Sequence, residues 1–287
     1  MNPSPLTSES VLQRLMTNYS VEVTARDERS IEVAPRLLKR DSQVYVANLP
    51  NDGVDTLISA CSRLNRAGLT AVPHIVARNI ATRQLLDTTL DRLANEANVK
   101  QALVIGGDRD QPVGVFNSAL QVIETELLQK HGILKIGIGC HPEGHPRVSD
   151  AIIWTALVEK VKAAIRSGFK PYLVSQFAFE AAPYILLARR LRAHDIKVPL
   201  CAGVPGPAGA AKLMKFALMC GVGTSFRALR ERNNLARSVL TGETPEDTLN
   251  SIAQAQHDEP ELGFSAVHFF TFGTLDKTVN FVSNVIN

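Results

Sequence analysis

The sequence predicts a single-domain (β/α)8 barrel, and three observations carry that prediction. Eight short apolar segments alternate with amphipathic helical stretches along 287 residues, which is the β/α signature. Their spacing is roughly even, and about 250 residues is the usual span of such a barrel. Most of the segments are apolar on both faces, as strands of a helix-covered parallel sheet must be, and several run out into polar, chemistry-bearing residues. A doubly wound open sheet is the competing arrangement. It needs a glycine-rich turn after the first strand, and Glu22-Val23-Thr24-Ala25-Arg26 has no glycine.

The N-terminus reads as a polar start and a short helix over about 8–17, with Ser8 or Ser10 as its cap and Val11, Leu12, Leu15 and Met16 as its apolar stripe. The strands are expected at Ser20–Thr24, Gln43–Ala47, Thr70–Ile75, Ala102–Ile105, Lys135–Gly139, Pro171–Ser175, Val198–Ala202 and Ala266–Phe270, rich in Val, Ile, Leu and Tyr. In the fifth, Leu134, Ile136 and Ile138 alternate onto one apolar side. Helical periodicity marks Asp55–Ala67, Thr82–Asn95, Phe116–Leu128, Ala151–Ile165 and Ala178–Ala193. The last of these ends in Arg189, Arg190 and Arg192, which favour the negative end of a helix dipole. Pro207–Cys220 and Pro245–Ala255 are further helices, so the long interval between strands seven and eight holds extra helical structure. No linker or internal repeat divides the chain, and 1–287 reads as one domain.

Composition narrows the function. Hydrophobic residues make up 45%, enough for a large core, and the net charge of +3 is interspersed rather than gathered into a basic stripe, which argues against nucleic acid. Four cysteines lie scattered without CxxC spacing, disfavouring a zinc site or a disulfide framework and suiting a reducing cytoplasm. The first residues lack the charged and apolar regions of a signal peptide, and no apolar run approaches the ~18 residues of a membrane helix.

In a barrel, the residues that close each strand at its carboxyl end build the site. Here they are Glu22, Asn48, His74 with Arg78 and Asn79, Gly106-Gly107-Asp108, His141 and His145, Gln176, the Gly203–Gly206 turn and His268. Glu22 inside an apolar strand is costly unless paired or functional. His74 alone reads as a hydrogen-bonded core histidine, Gly-Gly-Asp is ordinary turn chemistry, and Gln176 offers an amide for a planar ligand. His141 and His145 have half the spacing of an HExxH site, but Pro142, Gly144 and Pro146 oppose a helix there, so no metal is expected.

These strand ends, in this order, resemble the methylenetetrahydrofolate reductase family over almost the whole chain. Ser20-Val21-Glu22-Val23 is similar to its Phe-Glu-Phe first strand, Pro73-His74 to its Pro-His-Leu-Thr, and Gly107-Asp108 to its Arg-Gly-Asp. Pro142-Glu143-Gly144-His145-Pro146 resembles its Tyr-Pro-Glu-x-His-Pro loop, the most specific of the matches. Gln176-Phe177-Ala178-Phe179-Glu180 resembles its Thr-Gln-x-x-Phe-Asp, and His268-Phe269-Phe270-Thr271 its closing His-Phe-Tyr-Thr.

The resemblance implies reduction of 5,10-methylenetetrahydrofolate to 5-methyltetrahydrofolate, with NAD(P)H as hydride donor and FAD as carrier. It implies Glu22 as general acid and Asp108 beside the pterin. Gln176, Phe216 and His268 are then substrate contacts, and His74, Gly107, Asp108, His141 and His145 cofactor contacts. A homo-oligomer is also implied. The sequence departs from the family at flavin positions. The arginine before Gly-Asp is Gly106, the loop tyrosine is His141, and the second-strand threonine falls on Ala47. The Asp and Lys after the fifth strand fall at about Leu157 and Ala164, with Lys160 or Lys162 as substitutes, and the arginine after the closing strand is Thr274. FAD is therefore expected to bind weakly, in an altered way or not at all, so that hydride passes from NAD(P)H to the folate directly or through a flavin. Two other classes stay open: a non-redox tetrahydrofolate-binding protein and a histidine-based metal-dependent barrel hydrolase.

Overall fold

The computed structural model describes residues 7–222 and 245–286. Eight strands pair in sequential order to close a barrel. They are β1 (Ser20–Thr24), β2 (Gln43–Ala47), β3 (Thr70–Val76), β4 (Gln101–Ile105), β5 (Lys135–Cys140), β6 (Lys170–Ser175), β7 (Leu200–Pro205) and β8 (Phe264–Phe270). The helices between them are α2 (Glu28–Leu37), α3 (Val54–Arg66), α4 (Arg83–Asn95), α5 (Ala119–Ile123), α6 (Leu127–Lys130), α7 (Asp150–Arg166), α8 (Ala182–Ala193), α9 (Ala210–Met219) and α10 (Glu246–Asp258), with α1 (Ser8–Thr17) before β1 and α11 (Leu275–Ile286) after β8. No helix among the described residues is long and apolar enough to cross a membrane.

The chain divides into two compact units. The first comprises residues 21–139 and 151–173. Its helices bury period-3.6 stripes: Leu57, Ile58, Cys61 and Leu64 on α3, and Leu86, Leu90 and Leu93 on α4. Each buried leucine or isoleucine contributes roughly 1.5–3 kcal/mol. Side-chain caps start α2, where Asp27 accepts from the Ser30 N–H at 3.0 Å, and α4, where Thr82 accepts from the Leu85 N–H at 3.0 Å.

Parallel register fixes which residues of this unit share the face opposite those helices. Glu22 lies opposite Tyr45, Tyr45 opposite Val72, His74 opposite Leu103 and Leu103 opposite Gly137. Gly137 is there for room. A Cβ on it would sit 2.9 Å from Leu103 Cδ1 and 3.1 Å from the Tyr172 ring. The space goes to Tyr172, whose hydroxyl meets that of Tyr45 at 2.8 Å in the buried interior.

The second unit holds the residues up to Ser20, the 140–150 segment, and the chain from Val174 onward. The cap of α1 is Thr7, not Ser8 or Ser10: its hydroxyl accepts from the Ser10 N–H while the Ser10 hydroxyl accepts from the Thr7 N–H, a capping box. The apolar side of α1 packs on α10 and β8. Tyr184, fully buried at the start of α8, joins the ends of β6 and β7. It accepts from the Ala178 N–H at 2.5 Å and bonds the carbonyls of Ala178 and Gly203, and burial holds its hydroxyl well above the ordinary tyrosine range.

Two further local expectations change, and two helices form that the sequence periodicity did not mark. Leu134 lies outside β5 and is 47% exposed, so only Ile136 and Ile138 form the buried side. Phe116–Leu128 is two short helices rather than one, because Glu126 takes a left-handed φ of 63° and the Thr125 hydroxyl bonds the Val122 carbonyl and the Leu127 N–H. Helix α2 forms despite Pro35, which sits in its last turn where the missing N–H costs one bond near the end. Helix α11 is the other element that sequence periodicity did not single out.

Tyr184→Phe keeps the ring but strands the buried Ala178 N–H. It should lower unfolding free energy by about 1–3 kcal/mol in urea titration, with the cooperative transition retained.

Candidate functional site

In the first unit the decisive side chain is Glu22, in the middle of β1. Its Oε2 lies 3.3 Å from Nε2 of His74, with side-chain exposures of 20% and 9%. The imidazole is held at ion-pair distance but without hydrogen-bond alignment. Tyr45 stands edge-on to the His74 ring at 6.3 Å. Sequence reading put His74 among the cofactor contacts; the fold makes it the neighbour of the carboxylate. Tyr45 and Tyr172 went unnoticed as site neighbours because a tyrosine in an apolar strand reads as core.

Asp108 follows β4 and is exposed at its carboxyl end. The preceding Gly107 has φ +95°, and a Cβ there would lie 2.5 Å from Val76 Cγ1. The turn therefore needs glycine twice over, for its left-handed backbone and for its closeness to β3. Asn48, closing β2, buries its Oδ1 without a hydrogen-bond partner. Of the candidate lysines on α7, Lys162 is exposed, while Lys160 is half-buried and its Nζ reaches the Gly139 carbonyl at 3.3 Å, the end of β5. Leu157 and Ala164 are sealed in packing at 2% and 0% exposure.

In the second unit, Gln176 follows β6, its own N–H bonded to the Cys140 carbonyl at 2.8 Å. Its side-chain oxygen accepts from the Phe177 N–H at 3.0 Å, which leaves the amide hydrogens as the outward donors. His141 and His145 meet edge to face at 5.6 Å. His145 Nδ1 accepts from the Arg147 N–H at 3.2 Å. His268 is fully buried on β8, with Nδ1 2.9 Å from the Ser20 hydroxyl. Phe216 of α9 stacks on Phe272 at 4.4 Å and 23°, so one ring face is covered. Phe272 belongs to an aromatic group with Phe177 and Phe270. Thr274 spends its hydroxyl on the Thr271 and Pro207 carbonyls. Among the described residues no three metal-ligating side chains gather.

Residues 46–238 match the model of a family described as methylenetetrahydrofolate reductase. The chain belongs to that family. Three solved structures share its outline. A Clostridium thermocellum protein, described as uncharacterized and as binding two copies of 5-methyl-5,6,7,8-tetrahydrofolic acid, is 12% identical with a TM-score of 0.57, covering 96% of this chain and 99% of its own. A 2,3-dimethylmalate lyase of the PEP mutase/isocitrate lyase superfamily is 11% identical with a TM-score of 0.53, covering 97% and 84%. A dihydropteroate synthase from Thermus thermophilus is 14% identical with a TM-score of 0.48, covering 95% of each chain. The first two likenesses speak for the barrel fold.

The two glycines before Asp108 make a controlled test. Gly107→Ala should cost about 1–3 kcal/mol of unfolding free energy, since both φ and space oppose a methyl group. Gly106→Ala, with nothing within 4 Å of its Cβ, should stay within about 0.5 kcal/mol of the parent.

Proposed function

We propose that this protein reduces 5,10-methylenetetrahydrofolate to 5-methyltetrahydrofolate with hydride taken directly from NAD(P)H. The observation that carries the reading is the Glu22 carboxyl group, set in an apolar strand with an imidazole 3.3 Å away. Family membership supports the reaction class. Binding of 5-methyltetrahydrofolate by the Clostridium thermocellum protein of the same fold supports the substrate class.

In this reading Glu22 gives its proton to N10 of the substrate. The bond between N10 and the bridging carbon breaks, leaving that carbon as an iminium on N5. Hydride from C4 of the dihydronicotinamide adds to the carbon, giving the methyl group and NAD(P)+. A carboxyl group partly withdrawn from water holds a proton more readily than a free one, which general acid work near neutrality needs. His74 stands beside the carboxyl group, its Nε2 3.3 Å away. Asp108 stabilises the positive charge of the iminium. In the second unit the same reading assigns Gln176 the pterin edge through its amide hydrogens and Phe216 an aromatic ring of substrate or nicotinamide through its uncovered face. His268, buried against Ser20, then acts on the substrate only through the wall it supports.

A resident FAD fits these residues poorly. Leu157 and Ala164 are buried, the Thr274 hydroxyl is engaged, and Ala47 has no polar group. Lys160 is the remaining cation on α7 at the end of β5. Each lost charged contact to a pyrophosphate removes about 1.5–3 kcal/mol, enough in sum to abolish tight flavin binding. A homo-oligomer and a cytoplasmic setting belong to the same proposal, on family resemblance.

Glu22→Gln should lower kcat for methylenetetrahydrofolate reduction by about 10²–10⁴-fold while the protein still binds tetrahydrofolate. Undiminished turnover would overturn the assignment, and tetrahydrofolate binding by a parent protein that never oxidises NADH would favour the non-redox reading. Purified protein should be colourless between the near-ultraviolet and blue, and double-reciprocal plots for NADH and folate should intersect. Yellow protein with parallel lines would restore the flavin.

A further inference from the structure

Two arginines at the carboxyl ends of adjacent strands are held in place by neutral groups alone. Arg78 follows β3. Its Nε donates to the Asn117 carbonyl at 3.0 Å and its Nη1 to the Arg109 carbonyl at 2.8 Å. Its backbone is pinned as well, the N–H to the Gly106 carbonyl at 2.9 Å and the carbonyl to the Val113 N–H at 3.0 Å. Arg109 follows β4. Its Nε donates to Asn79 Oδ1 at 2.8 Å and its Nη2 to the Pro50 carbonyl at 2.6 Å. Both residues are half-buried.

The side-chain hydrogen bonds that hold both guanidinium groups end on neutral oxygens. The acid nearest Pro50 in sequence, Asp52, is taken by Arg26 at 2.6 Å. Asp108 and Asp110 flank Arg109 in the chain and moderate the local field. Carbonyl oxygens thus fix the forks in orientation without neutralising them, and the second terminal nitrogen of each keeps its hydrogens. Asn79 adds to the set. With Oδ1 spent on Arg109, its amide hydrogens turn outward. These bonds hold two long cationic side chains in a fixed orientation, at a cost in side-chain entropy.

We propose that Arg78, Arg109 and Asn79 form a binding subsite for an oxyanion of a ligand, phosphate or carboxylate. Planar guanidinium forks suit either group, in bidentate geometry. The subsite deepens the reductase reading and rests on it for the identity of the ligand. Both reactants of that reaction carry such groups, the nucleotide in its phosphates and the folate in its glutamyl carboxylates.

Equilibrium binding to the full chain, read without turnover, tests this. The probes are inorganic pyrophosphate, 2′,5′-ADP and p-aminobenzoyl-triglutamate, measured at two salt concentrations. The parent protein should bind at least one of them, more weakly at high salt. Arg78→Gln and Arg109→Gln should each weaken that probe about 10-fold, and Arg109→Lys should restore part of the loss. Loss confined to pyrophosphate and 2′,5′-ADP assigns the subsite to the nucleotide, and loss confined to the triglutamate assigns it to folate. Should Arg109→Gln fail to fold, Asn79→Ala and Arg109→Lys carry the same comparison. Unchanged affinity for every probe in folded variants overturns the subsite. A protein that binds these anions through the arginines yet never reduces methylenetetrahydrofolate keeps the subsite and removes the reductase reading.

Discussion

A carboxylate set on the interior face of a parallel strand needs a partner, because the strand's other side chains give it little solvation. Placing Glu22 between Val21 and Val23, both buried, costs several kcal/mol if the charge is left alone. His74, two residues along β3 from Val72, brings its Nε2 to 3.3 Å from that carboxylate. The pairing depends on register. Glu22 faces Tyr45 and Tyr45 faces Val72, so a slip of one residue in β2 or β3 would send the imidazole to the helix side. The chemistry proposed for this protein thus rests on strand pairing as much as on the acid itself.

What surrounds the pair is shaped by volume. Gly137 yields space that Tyr172 fills, and the two tyrosine hydroxyls close the interior with a hydrogen bond. A second set of groups, at the strand ends, is fixed by backbone geometry. Gly107 turns left-handed against Val76, while Arg78 and Arg109 tie the turns after β3 and β4 to each other and to Pro50. In the second unit, Tyr184 does the equivalent work for the ends of β6 and β7. Each of these clamps bonds backbone groups that a turn leaves without a ladder partner.

The family signature and its departures describe one division of labour. Under the proposed reading, Glu22, Asp108, Gln176 and Phe216 are the residues assigned to the one-carbon unit. The positions assigned to a flavin by resemblance include buried aliphatics and a spent hydroxyl, Leu157, Ala164 and Thr274. A charged contact cannot be rebuilt from a leucine packed at 2% exposure. Lys160 lies on the same helix and reaches the end of β5, which is why it stands out among the neighbouring charges.

The barrel itself was legible in the sequence. Doubly apolar segments such as Val44–Ala47 and Ala102–Val104 can only be strands covered on both sides, and the stripes of α3 and α4 declare helices that supply one cover. Asn48 and Gln176 follow β2 and β6 where the apolar runs stop, as read, whereas Glu22, His74 and His268 lie within their strands rather than at the carboxyl ends. Capping and turn chemistry were less legible. Thr7 rather than Ser8 caps α1, Glu126 breaks a periodic stretch by going left-handed, and α2 tolerates Pro35, because these outcomes turn on local hydrogen bonds that compete closely. Partnerships across strands were beyond sequence altogether. That His74 lies beside Glu22, that Tyr45 meets Tyr172 over a glycine, and that two arginines are held by neutral oxygens are decided by register and by distances between residues far apart in the chain, which only the closed sheet sets.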